Sequence, residues 1–97
     1  MPLYRVALGY AIRSIRTQRG YTLRDIAQRA PMALGYLSEV ERGHKDISSE
    51  LLETVAKGLG VSVTYIAYVT YEVLTDWEQQ EKQGVSINAC ALLAELA

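Results

Sequence analysis

Leu34, Gly35, Ser38, Glu39 and Arg42 recur at steps of one, four, five and eight. On a helix that spacing puts all of them on one face. Most are small or polar, so the face is ill suited to a core. Its donors and acceptors suit the edges of nucleic-acid bases. Gly35 lets the backbone approach closely, Leu34 offers an apolar surface to a thymine methyl, and Ser38 donates or accepts. Glu39 is the unusual choice, because phosphates repel a carboxylate unless it finds a donor. Cytosine N4 supplies one, so Glu39 points to a C·G pair. The plain alternative is a solvated helix charge paired with Arg42 at i+3.

A face that reads bases needs phosphate contacts on its rim. Thr22, with the first amides of its helix, is one candidate. Arg24, Arg42, His44 and Lys45 are the others. Singly, each is an ordinary surface charge; clustered at both ends of a helix pair, they favour phosphate. Catalysis finds no support. The single cysteine, Cys90, and the single histidine, His44, stand far apart, and no Cys/His pair has zinc-ligand spacing. No Gly-rich phosphate loop is present. Neither a metal nor a cofactor is expected. The acids read as exposed helix charges. Tyr65, Tyr68 and Tyr71 read as packing against another helix rather than as a ligand cage.

These residues need helices to hold them. LRDIAQRA places Leu23, Ile26, Ala27 and Ala30 on one side, and LGYLSEVER places Leu37 and Val40 opposite the polar face. Two helices joined by a short turn, the second presenting such a face, form the helix-turn-helix pattern. A first helix is predicted from about residue 4 to 19, lined by Leu8, Ala11, Ile12 and Ile15, with Gly20 at its end. Thr22 with Asp25 reads as a capping box, and Pro31 closes that helix. Ala33 caps the third helix weakly. Ser48 or Ser49 caps the fourth, whose stripe is Leu51, Leu52, Val55, Ala56 and Leu59. Ser62 starts a fifth helix to about residue 82, with Ile66, Val69, Val73, Leu74 and Trp77 along one seam. Trp77 reads as more than such a core needs. After Gly84, Ser86 opens a greasy terminal helix with Ile87, Cys90, Leu93 and Leu96 on one side. Trp77, Ile87, Leu93 and Leu96 are therefore assigned to dimerisation. The division is residues 1–71 for the DNA-binding domain and 72–97 for a C-terminal helical extension.

The 97 residues make one domain, 49% apolar, with a net charge of −1. That charge argues against a nucleic-acid partner, but its distribution argues for one. Residues 1–45 carry a balance of +5 and residues 46–97 one of −6. A basic front half is what meets phosphate. No signal peptide is expected, and the longest uncharged run, residues 58–71, is too short to span a bilayer. A cytoplasmic location fits.

The segments TLRDIAQRA, LGYLSEVERG and SSELLETVAKGLGVSV resemble the Xre family of helix-turn-helix regulators, the group of the Cro and lambda-type phage repressors. The likeness covers residues from about 8 to 68. Glu41 followed by Gly43 carries it, with the Leu-Gly-Val after the fourth helix. Within the family, LGYLSEVERG followed by Lys45 and SSELL is similar to the ClgR-type activators of Clp protease genes. The resemblance implies an all-α, five-helix lambda-repressor-like domain binding palindromic operators as a homodimer, with base contacts from Leu34, Gly35, Ser38 and Glu39. It also implies an ion pair between Arg16 and Glu41. Both residues border the core in the helical pattern, next to Ile15 and Val40. Pro31, Ala33 and Ile47 depart from the family's turn, where Gly, a Ser or Thr cap, and Pro are common. An activator would add RNA polymerase as a partner. The alternative is a protein-interaction module, antitoxin- or adaptor-like, on the same fold.

Overall fold

The structure is a computed structural model and describes residues 4–83. Among these, five helices follow in order: α1 Tyr4–Gln18, α2 Leu23–Arg29, α3 Leu34–Glu41, α4 Ser49–Leu59 and α5 Val63–Gln83. Their ends lie where local chemistry puts them. At Gly20, φ of +77° is free of the Cβ penalty, and Tyr21 N donates to Arg16 O at 3.1 Å to close α1. The Ser48 hydroxyl accepts from Leu51 N at 3.2 Å, and the Ser62 hydroxyl from Tyr65 N at 3.0 Å. Ala30 is extended, as a residue before proline should be. No side chain caps α3 at Ala33.

At the start of α2, Thr22 Oγ1 accepts from Asp25 N at 3.0 Å, and Thr22 N donates to Asp25 Oδ2 at 2.8 Å. This capping box holds the Asp25 carboxyl below its ordinary pKa of 3.8, chiefly through the Thr22 backbone and hydroxyl, with help from Arg29. A carboxyl depressed in the folded state stabilises the fold above its ordinary pKa and loses that stabilisation as pH falls through the folded value. Asp25→Asn should therefore melt below the parent at neutral pH. The gap should close in acid, read as melting temperature against pH; a gap constant with pH contradicts it.

Ala7, Ala11, Ile12 and Ile15 of α1 face Ile66, Val69 and Val73 of α5, while Ile26, Leu37, Val40, Val55 and Leu59 close the core from the other helices. In this arrangement α1 packs along α5 and against α3, and α2 packs on α3 and α4. Fully burying a side chain such as Leu37 contributes about 1.5–3 kcal/mol. α1 and α3 approach backbone to backbone at Gly9. A Cβ there would overlap the Val40 carbonyl oxygen and lie 2.8 Å from that of Glu41.

Three readings of the sequence are corrected here. Trp77 does serve the core: it meets Tyr10 of α1 edge-on, with ring centroids 5.7 Å apart at 75°. The acids apart from Glu41, expected beside the core, are not all exposed, for Asp76 is buried and accepts from Gln80 Nε2 at 3.2 Å. The stripe of α4 is narrower than expected, since Leu51 and Leu52 are only half-buried. α5 runs unbroken through residues 71 and 72, with Val73 and Asp76 buried beyond them. Ile87, Cys90, Leu93 and Leu96 lie outside the described residues.

Candidate nucleic-acid interface

Leu37 and Val40 are buried, and that fixes the rotation of α3 about its axis. Leu34 and Gly35 are then exposed, with Ser38 and Glu39 half-buried beside them and Arg42 exposed at the C-terminal end. The face at steps of one, four, five and eight thus turns outward as a unit. Gly35 is informative. A Cβ built there meets nothing within 4 Å, and φ is not positive. A helical glycine costs about 0.8–1.0 kcal/mol relative to alanine. Nothing in the fold repays that cost, whereas close approach of a ligand would.

The Arg16–Glu41 pair is present and bidentate. Arg16 Nε donates to Glu41 Oε2 at 2.7 Å and Nη2 to Oε1 at 3.0 Å. Arg16 Nη1 also donates to Tyr21 O at 2.9 Å, so one guanidinium ties α1, the α1–α2 turn and the end of α3. Both side chains are nearly enclosed, 11% and 5% exposed. Fork-to-fork pairing fixes orientation as well as distance. Further ties seat the loop after α3. Arg5 Nε donates to Gly43 O at 2.9 Å, and Tyr36 Oη donates to Asp46 O at 2.9 Å. Gly43 takes φ of +76°, and His44 N reaches back to Glu39 O at 2.9 Å.

That turn creates a contact no helical spacing announces. His44 Nδ1 lies 2.9 Å from Glu39 Oε2, while Arg42 Nη1 stands at 3.9 Å from Oε1. The Arg42 partner expected at i+3 is thus the looser of the two. A carboxylate held by a histidine is partly satisfied before any base arrives. Its second oxygen faces only the distant Arg42.

Thr22, Arg24, His44 and Lys45 are exposed at the two ends of the α2–α3 pair. The capping box uses the Thr22 amide and a Thr22 hydroxyl lone pair, and leaves the hydroxyl hydrogen free to donate. Arg29 is set apart from this cluster. It donates to Gly58 O at 2.7 Å and lies 4.8 Å over the Tyr21 ring, tying α2 to α4. Among the described residues no group of His, Cys, Asp and Glu can hold a metal ion, and no helix is long and apolar enough to cross a membrane.

A short helix, a four-residue turn through Pro31 and a second helix with an outward polar face define a class. The helix-turn-helix family model matches residues 12–66, and the chain belongs to that family in its Xre-type form. The fold is accordingly all-α and lambda-repressor-like. Among solved structures, the clp gene regulator ClgR from Corynebacterium glutamicum is similar with a TM-score of 0.82. It shares 43% identity, over 86% of this chain and 88% of that one. The transcriptional regulator ClgR of Mycobacterium tuberculosis is 41% identical over 64 residues, 66% of this chain. The match spans 57% of that relative's length. A restriction-modification controller protein, C.Esp1396I, was solved as a tetramer in complex with its natural 35 base-pair operator. It matches with a TM-score of 0.68 and 25% identity over 73% of this chain and 93% of that one.

Proposed function

We propose that this chain is a sequence-specific transcriptional regulator that binds double-stranded DNA in the cytoplasm. α3 enters the major groove with Leu34, Gly35, Ser38 and Glu39 at the base edges. Thr22, Arg24, Arg42, His44 and Lys45 hold the backbone on either side. The observation that carries this reading is the outward face of α3 around Gly35, a glycine that packing does not require. The basic front half supplies the matching charge. A homodimer on a palindromic operator follows from the need to space two recognition helices one helical turn apart. Trp77, Ile87, Leu93 and Leu96 are the residues proposed to dimerise. Activation of Clp protease genes is the proposed role, and likeness to a clp gene regulator supports clp genes as the targets.

Exposed Tyr68 and Tyr71 on α5 favour a second reading, an interaction module that grips a protein. Salt separates the two. Direct DNA binding should weaken steeply as salt rises, with a log–log slope of about −0.9 per phosphate engaged. Titration of the full chain with duplex DNA across a salt series measures that slope. A flat response, or no binding at all, contradicts the proposal.

A further inference from the structure

Between α1 and α3 lies a cavity of about 270 Å³, lined by Arg13, Arg16, Leu23, Ser38, Glu41 and Arg42. Its charges do not balance. Both oxygens of Glu41 are taken by Arg16, which also donates from Nη1 to Tyr21 O. Among the described residues the Arg13 guanidinium has no hydrogen bond or ion pair, its backbone carbonyl alone accepting from Thr17 Oγ1. The Arg42 guanidinium has, among the same residues, only Glu39, at 3.9 Å. One unpaired and one loosely paired guanidinium line the same cavity, and an anion between them would offset their mutual repulsion. Among the described residues the hydroxyl of Ser38 has no partner either. Ser38 belongs both to this cavity and to the outward face of α3, so the cavity opens beside the bases that α3 would read.

We propose that this cavity holds a phosphodiester of the DNA backbone, gripped by Arg13 from α1 and Arg42 from α3. The inference rests on the DNA-binding reading above. A phosphodiester presents two non-bridging oxygens that match the fork of an arginine, and a group bound by two helices fixes how deep α3 sits. Arg13 thereby joins the phosphate contacts, although sequence spacing places it a full turn before Arg16 and outside the helix pair.

Arg13→Gln tests the assignment, because an exposed side chain with no protein partner can be removed without loss of melting temperature. A random-sequence duplex about three helical turns long and the enriched operator are titrated with each variant across the salt series. The expected result is an affinity lower by about tenfold per protomer for both duplexes, hence about a hundredfold for the dimer, since each protomer loses one charge-assisted hydrogen bond. The magnitude of the salt slope should fall by about 0.9 per protomer, about 1.8 for the dimer. Arg13→Lys should recover most of both, since a point charge still neutralises phosphate. Equal slopes and affinities for Arg13→Gln and the parent overturn the proposal while leaving DNA binding intact. If the two variants differ only in binding pyrophosphate, with equal DNA slopes, the cavity belongs to a small anion and the proposal is overturned too. A parent chain that binds no duplex removes both this inference and the reading beneath it.

Discussion

Glu41→Ala should cost about 3–5 kcal/mol of folding stability, whereas Glu39→Ala, two positions earlier on the same helix, should cost well under 1. The difference lies in what each carboxylate leaves behind. Removing Glu41 strips Arg16 of its counter-charge, held at 2.7 and 3.0 Å, and leaves only the Tyr21 carbonyl at 2.9 Å, inside a site where its side chain is only 11% exposed. An enclosed cation without a counter-charge keeps its desolvation cost, and one carbonyl does not offset it. A small domain has about 5–15 kcal/mol in total, so the loss takes a large share of it. In a chain of this size it lowers the melting temperature by roughly 15 °C or more. Glu39 is the opposite case. Its partners, His44 and Arg42, are 61% and 63% exposed, and water replaces the lost contact. Glu39→Ala should keep the fold and alter sequence preference. Replacing Arg16 and Glu41 together by apolar residues should recover much of the loss, because no charge is then left buried alone. Melting curves for the four proteins decide the matter, and equal losses for Glu39→Ala and Glu41→Ala would sink the account.

Gly9→Ala should be nearly as damaging, though it adds only a methyl group. An α1 alanine is worth about 0.8–1.0 kcal/mol of helix propensity. Against that, its Cβ would clash with the Val40 carbonyl oxygen and press on the backbone of Glu41 at 2.8 and 3.0 Å. Backbone cannot rotate aside as a side chain can, so α3 must move away from α1. Overpacking of this kind costs about 1–3 kcal/mol and sometimes more. The shift would also pull Glu41 from Arg16, so the two penalties add. The expected net loss is about 2 kcal/mol or more. Gly35→Ala is the matched control, for its Cβ meets nothing within 4 Å. It should stabilise the fold by roughly 0.8 kcal/mol and weaken DNA binding. Denaturant midpoints for the pair test both halves. A stabilised Gly9→Ala would mean that α1 and α3 do not touch as described.

These two glycines show where sequence reading stops. Gly9 and Gly35 look alike in a helical pattern, because each interrupts neither caps nor periodicity. Only the crossing of α1 over α3 tells them apart, and no local signal states which helices cross. What is local was legible. Gly20, the Thr22–Asp25 box, Pro31, Ser48, Gly60 and Ser62 set helix ends through bonds within a turn of themselves. The apolar stripes of α1 and α5 followed from period alone. The buried polar residues of α5 did not. Thr70 hides by donating to Ile66 O at 2.8 Å, one turn back, so it needs no distant partner to reveal it. The pairing of His44 with Glu39 depended on Gly43 turning the chain back along α3, a geometry that spacing cannot express. The contact of Trp77 with Tyr10 was not legible, because how α5 lies along α1 is a tertiary property.

The central claim is that the outward face of α3 reads base edges in duplex DNA. The most direct test is selection of duplexes from a random pool with the full chain, in parallel with Glu39→Ala. The account predicts that the parent enriches a two-fold symmetric site with half-sites about one helical turn apart, and that Glu39→Ala relaxes the preference at one C·G position in each half. Enrichment of no sequence by the parent, or an identical site from both proteins, would contradict it.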